Sequence, residues 1–147
     1  MTSTALKKTF IPYGAYWSTP FCRWQGGLAE QHAIKLAAQV AARRFADRQI
    51  SPEILDGVVL GITVPQKQGF YGAPWLAGLL GAPGITGPTL SQACATSVAI
   101  LQAAALEIEA DLRRTVLAVA CDRTSNGPHV YYPSPAGPGG KGEAEDV

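Results

Sequence analysis

The run Thr89-Leu90-Ser91-Gln92-Ala93-Cys94-Ala95-Thr96-Ser97 leads without a break into Val98-Ala99-Ile100-Leu101-Gln102-Ala103-Ala104-Ala105, and this junction decides the fold. Thr89 to Ala93 reads as a short strand entering a turn. Thr96 to Leu112 follows as a helix whose first half is apolar almost all round. A surface helix carries a single apolar stripe, so one that is apolar on nearly every side is predicted to lie between layers. The expectation is a strand that turns into a buried helix, with one cysteine, Cys94, at the turn.

The neighbouring segments extend the same pattern. Thr115 to Cys121 (Thr-Val-Leu-Ala-Val-Ala-Cys) reads as a buried strand. Upstream, Asp56 to Val64 (Asp-Gly-Val-Val-Leu-Gly-Ile-Thr-Val) reads as a strand covered on both faces, as parallel strands are. Pro74 to Leu80 is a short helix with proline in its first turn and Gly81 just past its end. Glu30 to Arg48 is an amphipathic helix: Ile34, Ala37, Ala38, Ala41 and Phe45 share one face, while Lys35, Gln39, Arg43 and Asp47 can face water. Thr9 to Trp17, rich in β-branched and aromatic residues, reads as a strand that Pro12 makes irregular or late-starting. Alternation of strands and helices predicts an α/β layered domain with a mostly parallel sheet, spanning residues 1–128. From Gly127 to Val147, nine of 21 residues are Gly or Pro, so 129–147 is expected to be a Pro/Gly-rich loop or a disordered tail.

Composition narrows the function classes. The chain has 147 residues, room for one cored domain, with 47% hydrophobic and 16% charged residues, as in soluble globular proteins. A net charge of +1 with no block of like charge argues against nucleic acid or an anionic membrane surface as a partner. No window approaches the roughly 20 apolar residues of a membrane span. The start, Met1-Thr2-Ser3-Thr4-Ala5-Leu6-Lys7-Lys8, is not that of a secretory signal. Cys22, Cys94 and Cys121 are odd in number and widely spaced, which suits neither a disulfide framework nor a zinc site. A cytoplasmic setting with free thiols is expected.

Cys94 is the candidate nucleophile. The thiolate is the reactive form of cysteine, and an unperturbed thiol ionises near a pKa of about 8.5. The head of a helix offers unpaired N–H groups and the positive end of the helix dipole, which favour an anion there. An acyl group taken by this sulfur would form a thioester and divide a difficult carbon–carbon reaction into two steps. The competing reading is a small buried hydrophobe, which is what most lone cysteines among alanines are.

Five stretches, in order, resemble the thiolase family. Thr19-Pro20-Phe21-Cys22-Arg23 resembles the Thr-Pro-Phe-Gly-Arg stretch after the first thiolase strand, and Asp56-Gly57-Val58-Val59-Leu60-Gly61 resembles the second strand. Ala77-Gly78-Leu79-Leu80-Gly81, followed by Pro88-Thr89, precedes the cysteine as in thiolases. Cys94-Ala95-Thr96-Ser97 resembles the nucleophile motif, and Ala118-Val119-Ala120-Cys121-Asp122-Arg123-Thr124-Ser125-Asn126-Gly127-Pro128 resembles the strand and loop that follow. The resemblance implies a thiolase-like half-domain, incomplete at its C-terminal end, with a buried helix behind the nucleophile. It implies that Cys94 takes an acyl group from an acyl-CoA in carbon–carbon cleavage or Claisen condensation. It also implies a dimer in which a strand near the nucleophile pairs across a twofold axis. The CoA thioester enters as substrate, and no metal or redox cofactor is called for.

The family's further catalytic groups, the histidine of a Gly-His-Pro motif and a second cysteine near a Cys-x-Gly motif, belong to its C-terminal half, and neither motif occurs here. They are expected on a continuation of the chain or on a partner chain carrying that half. The alternatives are a non-catalytic thiolase-like acyl-CoA-binding or structural subunit, and a truncated fragment. Among other reactive side chains, His32 is expected to be solvated or capping, and His129 to sit in the Pro/Gly-rich loop. Cys121 is expected in packing, Cys22 at the surface, and Trp17, Trp24 and Trp75 in core or interface packing. Ser125 and Ser134 have no partner base in view.

Overall fold

The structure, a computed structural model, describes residues 6–125, 127–132 and 143–146. Its element order is α1 (Ala33–Asp47), β1 (Gly57–Gly61), α2 (Gly72–Leu80), β2 (Thr89–Leu90), α3 (Thr96–Glu109), β3 (Val116–Ala120), β4 (His129–Tyr132) and β5 (Glu143–Asp146). The first three strands form a parallel sheet in the order β2-β1-β3. Leu60 lies opposite Thr89, Gly61 opposite Leu90, and Gly57 to Gly61 run opposite Val116 to Ala120. The α/β class with a parallel sheet is the one that the sequence predicts.

The period of two along β1 sorts its side chains between layers. Val58 and Leu60 join Ile34 and Ala38 of α1 and Ala73, Leu76 and Ala77 of α2 in one cluster, with Leu117, Val119 and Cys121 packed against it. Val59 points the other way, with Ile100 and Ala104 of α3 and beside Val116 and Ala118. The result is helices α1 and α2, then sheet, then α3. Every residue of β1 is buried, because this strand alone has neighbours on both edges and helices on both faces. Each fully buried Leu, Ile or Val side chain contributes about 1.5–3 kcal/mol relative to exposure.

Two glycines make the layers close. A Cβ at Gly87 would stand 1.6 Å from the carbonyl oxygen of Val58, where the chain passes beside β1. There the N–H groups of Val58, Leu60 and Ile62 donate to the carbonyls of Thr86, Pro88 and Leu90. A Cβ at Gly61 would stand 2.8 Å from Thr96 Cγ2 and 3.0 Å from Ile100 Cγ2, so α3 can seat on the end of β1 only over a glycine.

Three expectations are corrected. The segment 9–17 is no strand. Ala15 N–H donates to the Pro12 carbonyl in a turn that Gly14 passes in the left-handed region (φ +75). Pro12 has no N–H to give a ladder, and the segment is held instead by contacts to α1 and α3. Arg48 donates to the Gly14 carbonyl, and the amides of Lys7, Lys8 and Thr9 donate to Glu109 Oε1. Second, β3 is only partly buried, since β1 covers one of its edges and it is the last strand of its sheet. Third, α3 is not covered all round. Thr96, Ile100 and Ala104 face the sheet, while Val98, Leu101 and Leu106 are 67%, 50% and 56% exposed. Within 129–147, β4 and β5 pair antiparallel, His129 opposite Asp146 and Tyr132 opposite Glu143. The segment between them, with Ser134, and the side chains of both strands lie outside the described residues.

Candidate functional site

In parallel α/β sheets the carboxyl ends of the strands and the loops leaving them form the natural crevice. Here those loops converge. Gly61 and Thr63 from the end of β1, Ser91, Ala93, Cys94, Thr96 and Ser97 from the β2–α3 junction, and Ala120 and Asp122 from the end of β3 line an open cleft of about 520 Å³. An adjoining, more apolar hollow of about 480 Å³ shares Thr63 and Ser91 and extends to Ile62, Leu90 and Phe70.

Cys94 lies in a single 3-10 turn, Ala93–Ala95, directly ahead of α3. Its thiol is exposed and unpaired with another cysteine, so the reading as a small buried hydrophobe does not hold for it. The junction is tightly bent: Ala93 sits in the left-handed region with φ 46. Ala95 N–H donates to the Gln92 carbonyl at 3.0 Å. The Thr96 hydroxyl accepts from Gln92 N–H at 2.8 Å and donates to the Ala93 carbonyl at 2.8 Å.

Asp122, on the far wall, is committed to structure. Its carboxylate accepts from Thr63 N–H at 2.8 Å, Thr63 Oγ1–H at 2.6 Å and Val64 N–H at 2.9 Å, stitching the loop after β1 to the loop after β3. Its charge also reaches Cys121. Burial first, and the adjacent Asp122 carboxylate second, push the Cys121 thiol up from 9.0 to about 12. Cys121 is therefore a packing residue, as expected, and Cys22 is an exposed thiol, as expected.

The remaining sequence candidates are not brought to the cleft. His32 occupies the N-cap position of α1, as expected, but its side chain makes no capping bond: its Nε2 lies 2.7 Å from the Lys67 carbonyl, and its ring stands edge-on to Trp75 at 5.0 Å. A carbonyl only accepts, so Nε2 carries the proton, and Nδ1 is buried with no partner among the described residues. Trp17 packs edge-on to Phe45 at 6.3 Å, while Trp24 is exposed. Ser125 is buried and its hydroxyl accepts from Gln25 N–H at 2.6 Å. Arg123 donates to the carbonyls of Ala29 and Gln31, so the loops at 25–32, 64–69 and 122–125 brace one another beside the cleft. Sequence reasoning singled out Cys94 but passed over Thr96 and Asp122. Their only signal is position: two residues after the cysteine, and one residue after a buried strand.

Comparison with known proteins meets this geometry. The family model described as the thiolase N-terminal domain matches residues 15–141. The acetyl-CoA acetyltransferase from Syntrophomonas wolfei superposes with a TM-score of 0.76 at 25% identity, covering 87% of this chain and 33% of that one. Human mitochondrial 3-ketoacyl-CoA thiolase, solved in complex with CoA, gives 0.73 at 22% identity, covering 87% and 33%. The Bacillus anthracis acetyl-CoA acetyltransferase gives 0.71 at 22% identity, covering 84% and 32%. At such identities the superpositions speak to the fold, and the chain spans about a third of the length of each of these relatives. A search of curated protein sequences finds no match. With the match extending over most of its length, the chain belongs to the thiolase family and carries the fold of that family's N-terminal domain.

Proposed function

We propose that this chain is the N-terminal portion of an acyl-CoA C-acyltransferase in which Cys94 accepts the acyl group. The observation that supports it is the placement of Cys94: an exposed thiol in the turn heading α3, on the cleft at the carboxyl ends of the parallel strands. In the proposed step the Cys94 thiolate attacks the thioester carbonyl carbon. The carbon–Sγ bond forms, the carbon–sulfur bond to CoA breaks, and CoA leaves as a thiolate that takes up the proton given up when the Cys94 thiol ionised. Condensation passes the acyl group on to the α-carbon of a second thioester; cleavage runs the same bonds in reverse. The CoA bound by the human relative supports an acyl-CoA as ligand. The thioester itself supplies the activation, so the reading requires no metal or redox group.

Proton transfer at the α-carbon and stabilisation of the oxyanion need further groups. The chain has neither a Gly-His-Pro nor a Cys-x-Gly motif. The proposal assigns these groups to a continuation or partner chain carrying the C-terminal half. The alternative reading is a thiolase-like subunit that binds acyl-CoA or serves as scaffold without turnover. A homodimer joined through the free edge of β2, and a cytoplasmic location, complete the proposal. Among the described residues no helix is long and apolar enough to cross a membrane.

The experiment is intact-protein mass after brief incubation with acetyl-CoA, beside Cys94→Ala. The expected result is one acetyl adduct that the substitution abolishes. A folded chain that gains no adduct overturns acyl transfer by this chain alone, and leaves a scaffold or a portion that needs the C-terminal half to shape its oxyanion hole.

A further inference from the structure

We infer that Thr96 is the positioning residue that holds Cys94 on the cleft, through two hydrogen bonds made by one hydroxyl. This rests on Cys94 as the acyl acceptor and adds the residue that orients it. A left-handed backbone at a residue with a side chain persists only where its surroundings impose it. At Ala93 (φ 46) the imposing group is the Thr96 hydroxyl. It donates to the carbonyl of Ala93 itself and accepts from the N–H of Gln92 one residue earlier. Cys94 lies inside the loop thus closed, between the two anchored peptides and Thr96.

The hydroxyl is itself held in place. Thr96 is only 5% exposed. Its methyl lies against the bare backbone of Gly61, where a Cβ would come within 2.8 Å of it. A β-branched side chain at a helix start has few rotamers, and a methyl seated on Gly61 selects the one that points the oxygen back at the turn. The end of β1 thus sets the rotamer of Thr96, and Thr96 sets the bend of the junction that carries Cys94. The methyl serves packing and the hydroxyl serves the turn, so two substitutions separate them. Thr96→Val keeps the shape and deletes both hydrogen bonds; Thr96→Ser keeps the hydroxyl and deletes the methyl.

The three cysteines provide a test within one molecule. Wild type, Thr96→Val and Thr96→Ser are labelled with iodoacetamide, and the rate at each cysteine is read by peptide mass, alongside acetylation of Cys94 by acetyl-CoA. Thr96→Val is expected to react about tenfold more slowly at Cys94 in both assays, the scale of losing a buried hydrogen-bond partner. Thr96→Ser is expected to restore most of the rate. Exposed Cys22 should label equally in all three, and Cys121 should stay unlabelled in all three. The inference is overturned if Thr96→Val labels Cys94 at the wild-type rate, or if Thr96→Ser is as slow as Thr96→Val. It is also overturned if Cys121 becomes labelled in Thr96→Val, because the change would then be general loosening. A wild-type chain that alkylates but does not acetylate at Cys94 defeats acyl transfer by this chain without its C-terminal half, and the alkylation ratio still decides the role of Thr96.

Discussion

Three cysteines in one chain show how far residue type underdetermines chemistry. Cys22 is exposed, Cys94 is exposed at the head of a helix, and Cys121 is packed at the end of β3 beneath α1 and α2. Their differing surroundings predict differing alkaline behaviour. The folded-state pKa of Cys121 is raised, from 9.0 to about 12, by burial and then by Asp122. The folded state therefore keeps a proton that the unfolded chain gives up above about pH 9, and stability falls as pH rises from 9.0 toward 12. Cys121→Ser cannot ionise in that window. Denaturant midpoints taken at pH 7, 9 and 10.5 are expected to fall less steeply for Cys121→Ser than for wild type, whatever the offset at pH 7. Parallel slopes would mean that Cys121 ionises as freely in the fold as outside it. The sequence made the nucleophile candidate legible, because a cysteine among small residues before an apolar helix is a local pattern. Thr96 and Asp122 were not legible, because their roles depend on Gly61 and Thr63, far away along the chain.

At the level of elements, the helices were readable from periodicity and β1 and β3 from their apolar runs, although β3 is only partly buried, and the segment 9–17 was misread for a physical reason. Its aromatic and β-branched residues have strand propensity, but a strand exists only where a neighbour completes its ladder, and no local pattern reveals the neighbour. One carboxylate takes three of the bonds that hold this arm. Glu109 Oε1 accepts from the amides of Lys7 at 3.0 Å and of Lys8 and Thr9 at 2.8 Å. The Thr9 hydroxyl donates to the Ala105 carbonyl at 3.1 Å, and Lys8 pairs with Asp111. These amide donors, Lys8 first, hold the Glu109 carboxyl down from 4.5 to about 2. A depressed folded-state pKa means that the attachment is complete above pH 4.5 and is lost as pH falls toward 2. Amide exchange at Lys8 and Thr9, taken relative to the intrinsic rate at each pH, is expected to stay slow at pH 5 and to become fast near pH 2, while β1 amides remain protected longest. Glu109→Gln should show the fast exchange already at pH 5. If Lys8 and Thr9 exchange equally slowly in that variant, the carboxylate is not what holds the arm.

For the whole molecule, the chain builds three layers around β1 yet leaves apolar residues of α3 exposed on the side away from the sheet. The apolar pattern of α3 predicted layers on both sides; the fold supplies the sheet on one, and Val98, Leu101 and Leu106 stand exposed on the other. Sequence legibility at this scale was partial, since the demand for a second covering layer can be read from the helix but its source cannot. A monomeric protein rarely leaves a contiguous apolar patch uncovered, so the isolated chain should bury this one by self-association. Light scattering across a concentration series is expected to show wild-type chain associating as concentration rises. Leu101→Glu combined with Leu106→Glu should go no further than a dimer over the same series. The two leucines contribute little to the core, so the thermal midpoint of the variant at low concentration should lie within a few degrees of wild type, the scale of an exposed substitution of about 0.5 kcal/mol each. Association beyond a dimer in the double variant would point away from α3, to the outer edge of β3, which has no partner strand among the described residues and gives a second route to assembly. A large drop in the midpoint would instead show that the outer face of α3 already supports the fold, and that its exposure overstates its independence from the sheet.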